Sequence, residues 1–176
     1  MKKVFYLLLS LVITSCVATK NKVAIKNQDG DLVGIATRND FKKEPFASQW
    51  FNDYYEYYQT DPETVTQLKQ KLNGITIKGF MGTWCGDSQR EIPNFYKLLD
   101  ESDFDFKKLE LVTVNRKKQA NGLEKGYNIT HVPTFIFYKE GKELGRFVEH
   151  ANENGTIEGD ILKIVSGIPY KHPYQK

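Results

Sequence analysis

From residue 60 onward the chain switches repeatedly between helical and strand periodicity, and this alternation constrains its fold more than any other feature. Thr60-Asp61-Pro62-Glu63 is a helix start with proline in the first turn. Val65, Leu68 and Leu72 give that helix a buried face, and Asn73-Gly74 stops it. Residues 75–81 read as a strand. Residues 88–100 read as a helix with Ile92, Phe95 and Leu99 inward, kinked by Pro93. A β-rich run over 109–114 and a weak helix over 119–125 follow. Residues 134–138 form a strand, Glu140-Gly141-Lys142 a turn, and 144–149 its partner. Ile157, Ile161 and Val165 mark a closing helix. This order predicts an α/β fold: a mostly parallel sheet, helices on both faces, and an antiparallel end.

Ahead of that unit lies an extension over 23–59. Val23-Ala24-Ile25-Lys26 and Leu32-Val33-Gly34-Ile35 flank Gln28-Asp29-Gly30-Asp31, which predicts a hairpin on an Asp-Gly turn. Phe46, Trp50, Tyr54 and Tyr57/Tyr58 recur at helical spacing and predict one apolar stripe facing the core. With 176 residues there is room for one domain. The 40% hydrophobic and 13% aromatic content supplies a core and excludes a disordered chain. A net charge of +3, partly from Lys2 and Lys3, gives no footing for nucleic-acid binding. Two cysteines exclude a disulfide scaffold and a multi-cysteine zinc site.

The first residues read as an address. Met1-Lys2-Lys3 is basic, and residues 4–14 are an apolar run. A span needs about 20 apolar residues, so this run is too short and reads as a secretory signal over 1–15. Its end, Ile13-Thr14-Ser15-Cys16, resembles a bacterial lipobox. That resemblance implies a diacylglyceryl thioether on Cys16, which becomes the mature N-terminus of a short tether over 16–22. The chain is then expected in the bacterial cell envelope, held to the membrane by lipid. Val17, where an aspartate would signal inner-membrane retention, points to the outer membrane, periplasm-facing or at the surface. If Cys16 carries lipid, Cys85 is the remaining thiol, in a compartment that oxidises thiols.

The chemistry centres on Trp84-Cys85-Gly86-Asp87-Ser88. The preceding strand ends at Met81 and a helix begins near Gly86, so Cys85 is expected at a helix N-terminus. Unpaired N–H groups and the macrodipole there favour a thiolate, the nucleophilic form. Asp87, in the same turn, opposes a second negative charge. Farther along stands His131-Val132-Pro133-Thr134. Proline lacks the N–H that a central strand uses, and a cis peptide would account for its place at a strand opening.

A strand, then Trp-Cys-Gly, a proline within the following helix, and Val-Pro-Thr before a hairpin together resemble the thioredoxin superfamily. The resemblance covers residues 62–167 and is strongest to secreted, membrane-tethered bacterial members. It implies a thioredoxin fold over 60–176, with a central mixed sheet flanked by helices. It also implies a cis Pro133 packed on Cys85. The Val132 and Thr134 backbone would then meet an extended peptide, and Trp84 and Pro133 would frame the reacting thiol. No cofactor and no metal are implied.

Two departures from the family narrow the reading. Thioredoxins carry a second cysteine where this chain has Ser88, and a buried aspartate where it has Gly79. Ser88 can hydrogen-bond a thiolate but cannot resolve a mixed disulfide. The expected function is therefore monothiol thiol–disulfide exchange through Cys85. An envelope protein thiol or a small thiol would complete the cycle. The alternative is a redox-inactive binding module on a lipid anchor. Gly82, three residues before the cysteine, replaces the threonine a peroxiredoxin needs, and copper delivery would need two cysteines. His131 would border the Cys85 groove, where it could favour the thiolate or touch substrate; otherwise it is a solvated loop residue. Arg116-Lys117-Lys118 follows a strand expected parallel to the Cys85 strand. The triplet lies beside the thiol or is a solvated charge run.

Overall fold

A computed structural model describes residues 23–153 and 155–175. The signal and lipidation readings at 1–22 lie outside the described residues. Strands β1 (Ile25–Lys26), β2 (Leu32–Ala36), β3 (Ile75–Met81), β4 (Leu109–Thr113), β5 (Thr134–Lys139) and β6 (Lys142–Val148) form one sheet. Their order is β1-β2-β4-β3-β5-β6. β1 and β2 form the hairpin expected around Gly30. The sheet is mixed, and β3–β4 is the parallel pair among the named strands; the others run antiparallel. The alternation of periods thus overstated the parallel content, because β2 enters from the N-terminal hairpin rather than from a crossover.

Side-chain alternation along β3 and β5 separates two cores. Ile75, Ile77, Met81, Phe135 and Phe137 face one side. The helices α3 (Pro62–Lys71), α4 (Gly86–Glu101) and α5 (Ile157–Ser166) pack there through Leu68, Phe95, Ile161 and their neighbours. Phe95 stacks on Phe135 with ring centroids 3.9 Å apart. α3 begins as the sequence dictates: Asp61 accepts from Thr64 N at 2.9 Å and Pro62 follows it. Gly74, at φ +76°, ends that segment.

Phe80, Val112, Val114 and Ile136 face the other side. The segment 115–131 covers them through Ala120, Leu123, Tyr127 and Ile129. The weak helix expected over 119–125 does not form; this stretch is a series of turns. Asn121 and Gly122 take φ of 54° and 94°, outside the helical region. The Glu124 carboxylate accepts from Ala120 N and Gly122 N, at 2.9 and 3.0 Å, and satisfies donors a helix would have used internally. The helical cover expected on both faces is therefore loop on this one.

The N-terminal extension departs in register. A short helix α1 (Arg38–Phe41) leads to a π-helical turn over Ala47–Phe51 and then α2 (Asn52–Tyr57). In the π turn Asn52 N bonds to Ala47 O, five residues back. The extra residue rotates the buried face. Phe46, Trp50 and Phe51 are buried, whereas Tyr54 and Tyr57 are 42% and 75% exposed. The expected stripe thus holds at Phe46, Trp50 and the partly buried Tyr58, and fails at Tyr54 and Tyr57. Phe41 packs on Trp50 and Phe51 at 5.7 and 6.2 Å, and Phe51 meets Tyr96 of α4 at 6.1 Å.

Candidate active site around Cys85

Cys85 is the N-cap of α4, with φ −97° and ψ 122°. Its N–H bonds to Gly82 O at 3.0 Å, and its carbonyl accepts from Gln89 N at 2.9 Å. The Gln89 side chain donates to Thr83 O at 2.8 Å. These bonds fix residues 82–85 as a tight turn between β3 and α4. The thiol is half-buried and its Sγ lies 3.2 Å from Val132 O. The segment 131–134 and the thiol, far apart in sequence, are thus in contact.

Val132–Pro133 is cis, as is Glu44–Pro45 in the extension. Pro133 O accepts from Glu149 N at 2.7 Å, and Thr134 Oγ1 donates to His131 O at 2.8 Å. Val132, Pro133 and Thr134 are all buried. His131 is half-buried; its Nδ1 lies 3.1 Å from Thr130 Oγ1. Its ring stacks on Tyr174 at 3.8 Å, so it is packed rather than freely solvated. His150 and His172 also approach Tyr174, and burial, then Arg146 and His131, hold the His172 imidazole below its ordinary range. Among the described residues no group of three or more His, Cys, Asp or Glu is placed to hold a metal ion.

Ser88 is fully buried, and its hydroxyl accepts from Gly82 N at 3.2 Å. No hydrogen bond joins it to Cys85 among the described residues. Trp84 donates from Nε1 to Val114 O at 2.9 Å. A Cβ on Gly82 would come within 2.5 Å of that indole, so the turn needs glycine there. Asp87 does not stand as an isolated negative charge beside the thiol. Arg90 donates to it at 2.7 Å and to Glu91 at 2.9 Å. Burial pushes the Glu91 carboxyl up, only partly offset by Arg90. At Gly79 a Cβ would meet Leu111 Cδ1 at 2.6 Å, so this position has no room for an acid.

The basic triplet is brought to the site in part. β4 runs parallel to β3, so its C-terminal loop emerges at the same edge as Trp84 and Cys85. The Arg116 guanidinium lies over the Trp84 ring, 5.6 Å from its centroid. Sequence reasoning missed Thr83, whose Oγ1 accepts from Leu32 N at 3.1 Å and ties the N-terminal hairpin to the Cys85 turn. It also missed Asp31, Glu91 and Tyr174. Asp31 sat within a turn motif, whereas a C-terminal tyrosine gives no periodic signal at all.

A family model described as thioredoxin matches residues 59–162. The chain belongs to the thioredoxin family. It is similar to thioredoxin of Geodia cydonium, 32% identical over 103 residues, covering 58% of this chain and 92% of that one. It is 30% identical to thioredoxin H2 of Arabidopsis thaliana over 98 residues, covering 55% of this chain and 65% of that one. Among solved structures, Fasciola hepatica thioredoxin matches at 25% identity and a TM-score of 0.33, covering 47% of this chain and 75% of that one.

Proposed function

We propose that this protein performs monothiol thiol–disulfide exchange in the bacterial cell envelope. Membership of the thioredoxin family supports thiol–disulfide oxidoreductase-like action on protein thiols or disulfides in general terms. The observation that carries the finer reading is the pairing of Cys85 with Ser88. A half-buried thiol caps α4 against Val132 O, and the companion position is a buried hydroxyl bonded to Gly82 N. The α4 N-terminus favours negative charge where the sulfur sits. As a thiolate, Cys85 attacks a disulfide, forms a Cys85–S–S–R bond and expels the other sulfur as a thiolate. Ser88 cannot displace that adduct. An outside thiol, from an envelope protein or a small molecule, attacks it and returns Cys85. The residues at 4–16 support secretion and a lipid anchor on Cys16.

Intact-mass measurement on the full chain in detergent tests the exchange. Hydroxyethyl disulfide should add one adduct, Cys85→Ser should add none at that site, and added thiol should remove it. Lack of any adduct at Cys85 would favour a redox-inactive binding module built on the same groove. For the anchor, wild type should partition into detergent and Cys16→Ala should not; partitioning of wild type into water would refute lipidation.

A further inference from the structure

Beside Leu32, whose N–H ties the N-terminal hairpin to Thr83 of the Cys85 turn, stands a buried acid. Asp31 is 7% exposed, and its Oδ2 is buried without a hydrogen-bond partner. The nearest cation is Arg116, whose Nε lies 3.7 Å from that oxygen. The guanidinium is thus held on one side by a buried carboxylate and on one face by the Trp84 indole. Its terminal Nη groups make no hydrogen bond among the described residues, and the side chain is 64% exposed. The other arginine close to the thiol, Arg90, is already spent on Asp87 and Glu91. Arg116 therefore presents a pre-oriented fork beside the residue that precedes the nucleophile. Such a fork matches a carboxylate, which it can bind through two parallel bonds.

The geometry points to Asp31, Trp84 and Arg116 as a carboxylate-recognition site that selects acidic disulfides for Cys85. This rests on the exchange reading above and adds the class of substrate: a small disulfide with a carboxylate a few bonds from its sulfur. In the step, the Cys85 thiolate forms a bond to the near sulfur and the disulfide bond breaks. The far sulfur leaves with the electron pair as a thiolate and takes a proton from water. One disulfide replaces another, so no external oxidant is required. Arg116 binds the carboxylate, while Asp31 positions Arg116 without touching substrate.

The test compares rates of adduct formation by the full chain with dithiodipropionate, an anion, and cystamine, a cation, at low and high salt. Wild type should prefer the anion, and salt should shrink the preference. In Arg116→Gln the anion-to-cation rate ratio should fall about fivefold, the scale of an exposed ion pair. Arg116→Lys keeps the charge but loses the fork, and should recover only part of the ratio. Asp31→Asn removes both the tether and a competing negative charge, so its ratio is read at high salt, where the long-range charge is screened and loss of the tether should lower it. An unchanged ratio in Arg116→Gln would overturn the proposal. Should Cys85 react with neither probe, the exchange reading fails, and a second measurement decides the anion site alone. Full-chain Cys85→Ser is titrated with succinate and followed by tryptophan fluorescence. A saturable change lost in Arg116→Gln upholds the site; the same titration in both proteins overturns it.

Discussion

Near the thiol, packing decides what single positions can hold. Gly79 has Leu111 Cδ1 2.6 Å from where a Cβ would stand, and Phe135 Cδ1 at 3.4 Å. Introducing an acid there adds overpacking to an unpaired buried carboxyl. Gly79→Asp should therefore lose more than about 2 kcal/mol in urea unfolding; an unchanged midpoint would show that the strand pair yields easily. Glu91 makes a different case. Burial raises its carboxyl, with Arg90 offsetting only part of the effect. A folded-state value above the unfolded one means that the unfolded chain releases its proton first as pH rises. Stability from this group is full at low pH and lost as pH climbs through the raised value. Glu91→Gln should thus gain on wild type as pH goes from below the ordinary carboxylate range to neutrality. Denaturation at several pH values checks this, and a stability difference, Glu91→Gln minus wild type, that falls with rising pH would contradict it.

At the scale of elements, the strands and helices that read easily were those whose period and boundaries agreed. The α3 start at Asp61-Pro62, the β3 strand and the Cys85 position at a helix N-terminus are all local patterns, visible without knowing the partners. The contact between the thiol and Val132 was legible only through resemblance to a family, because nothing local joins those positions. Two elements misled. Residues 119–125 have helix-forming composition, but Asn121-Gly122 and the Glu124 carboxylate offer the backbone a better set of bonds. The aromatic stripe followed a regular helical period until the π turn inserted a residue, and no composition rule marks such a turn. That shift can be measured. Phe51→Ala should cost about 3–5 kcal/mol, because it empties a fully buried site between Phe41 and Tyr96. Tyr57→Ala, on the exposed side, should stay within about 0.5 kcal/mol. Equal losses in the two variants would mean that the helical stripe, and not the π register, is the buried face in solution.

For the whole molecule, the question is whether the segment before residue 59 decorates the thioredoxin domain or completes it. The family model starts at residue 59, yet β2 lies in the sheet, paired with β4. Without it β4 becomes an edge strand with unpaired backbone groups. Phe41, Phe46, Trp50 and Phe51 pack as one aromatic cluster, and Phe41 and Phe51 carry it onto Tyr96 of α4. Arg38 lies over Tyr96 and Phe106 and pairs with Asp100, which also accepts from Tyr55. The same segment supports the site, since Leu32 N is bonded to Thr83 in the Cys85 turn. Each large apolar side chain is worth about 1.5–3 kcal/mol on burial. Four of them together rival the whole stability of an ordinary domain, about 5–15 kcal/mol. A chain beginning at residue 59 should therefore lack a cooperative urea transition, or unfold at a far lower midpoint than one beginning at residue 23. It should also expose apolar surface to a hydrophobic dye. A truncated chain that unfolds cooperatively at the longer chain's midpoint would show the extension to be an appendage. If the truncated chain instead loses its transition, the boundary of the folding unit lies well before the start of the family match. The turn holding Cys85 then depends on residues outside that match.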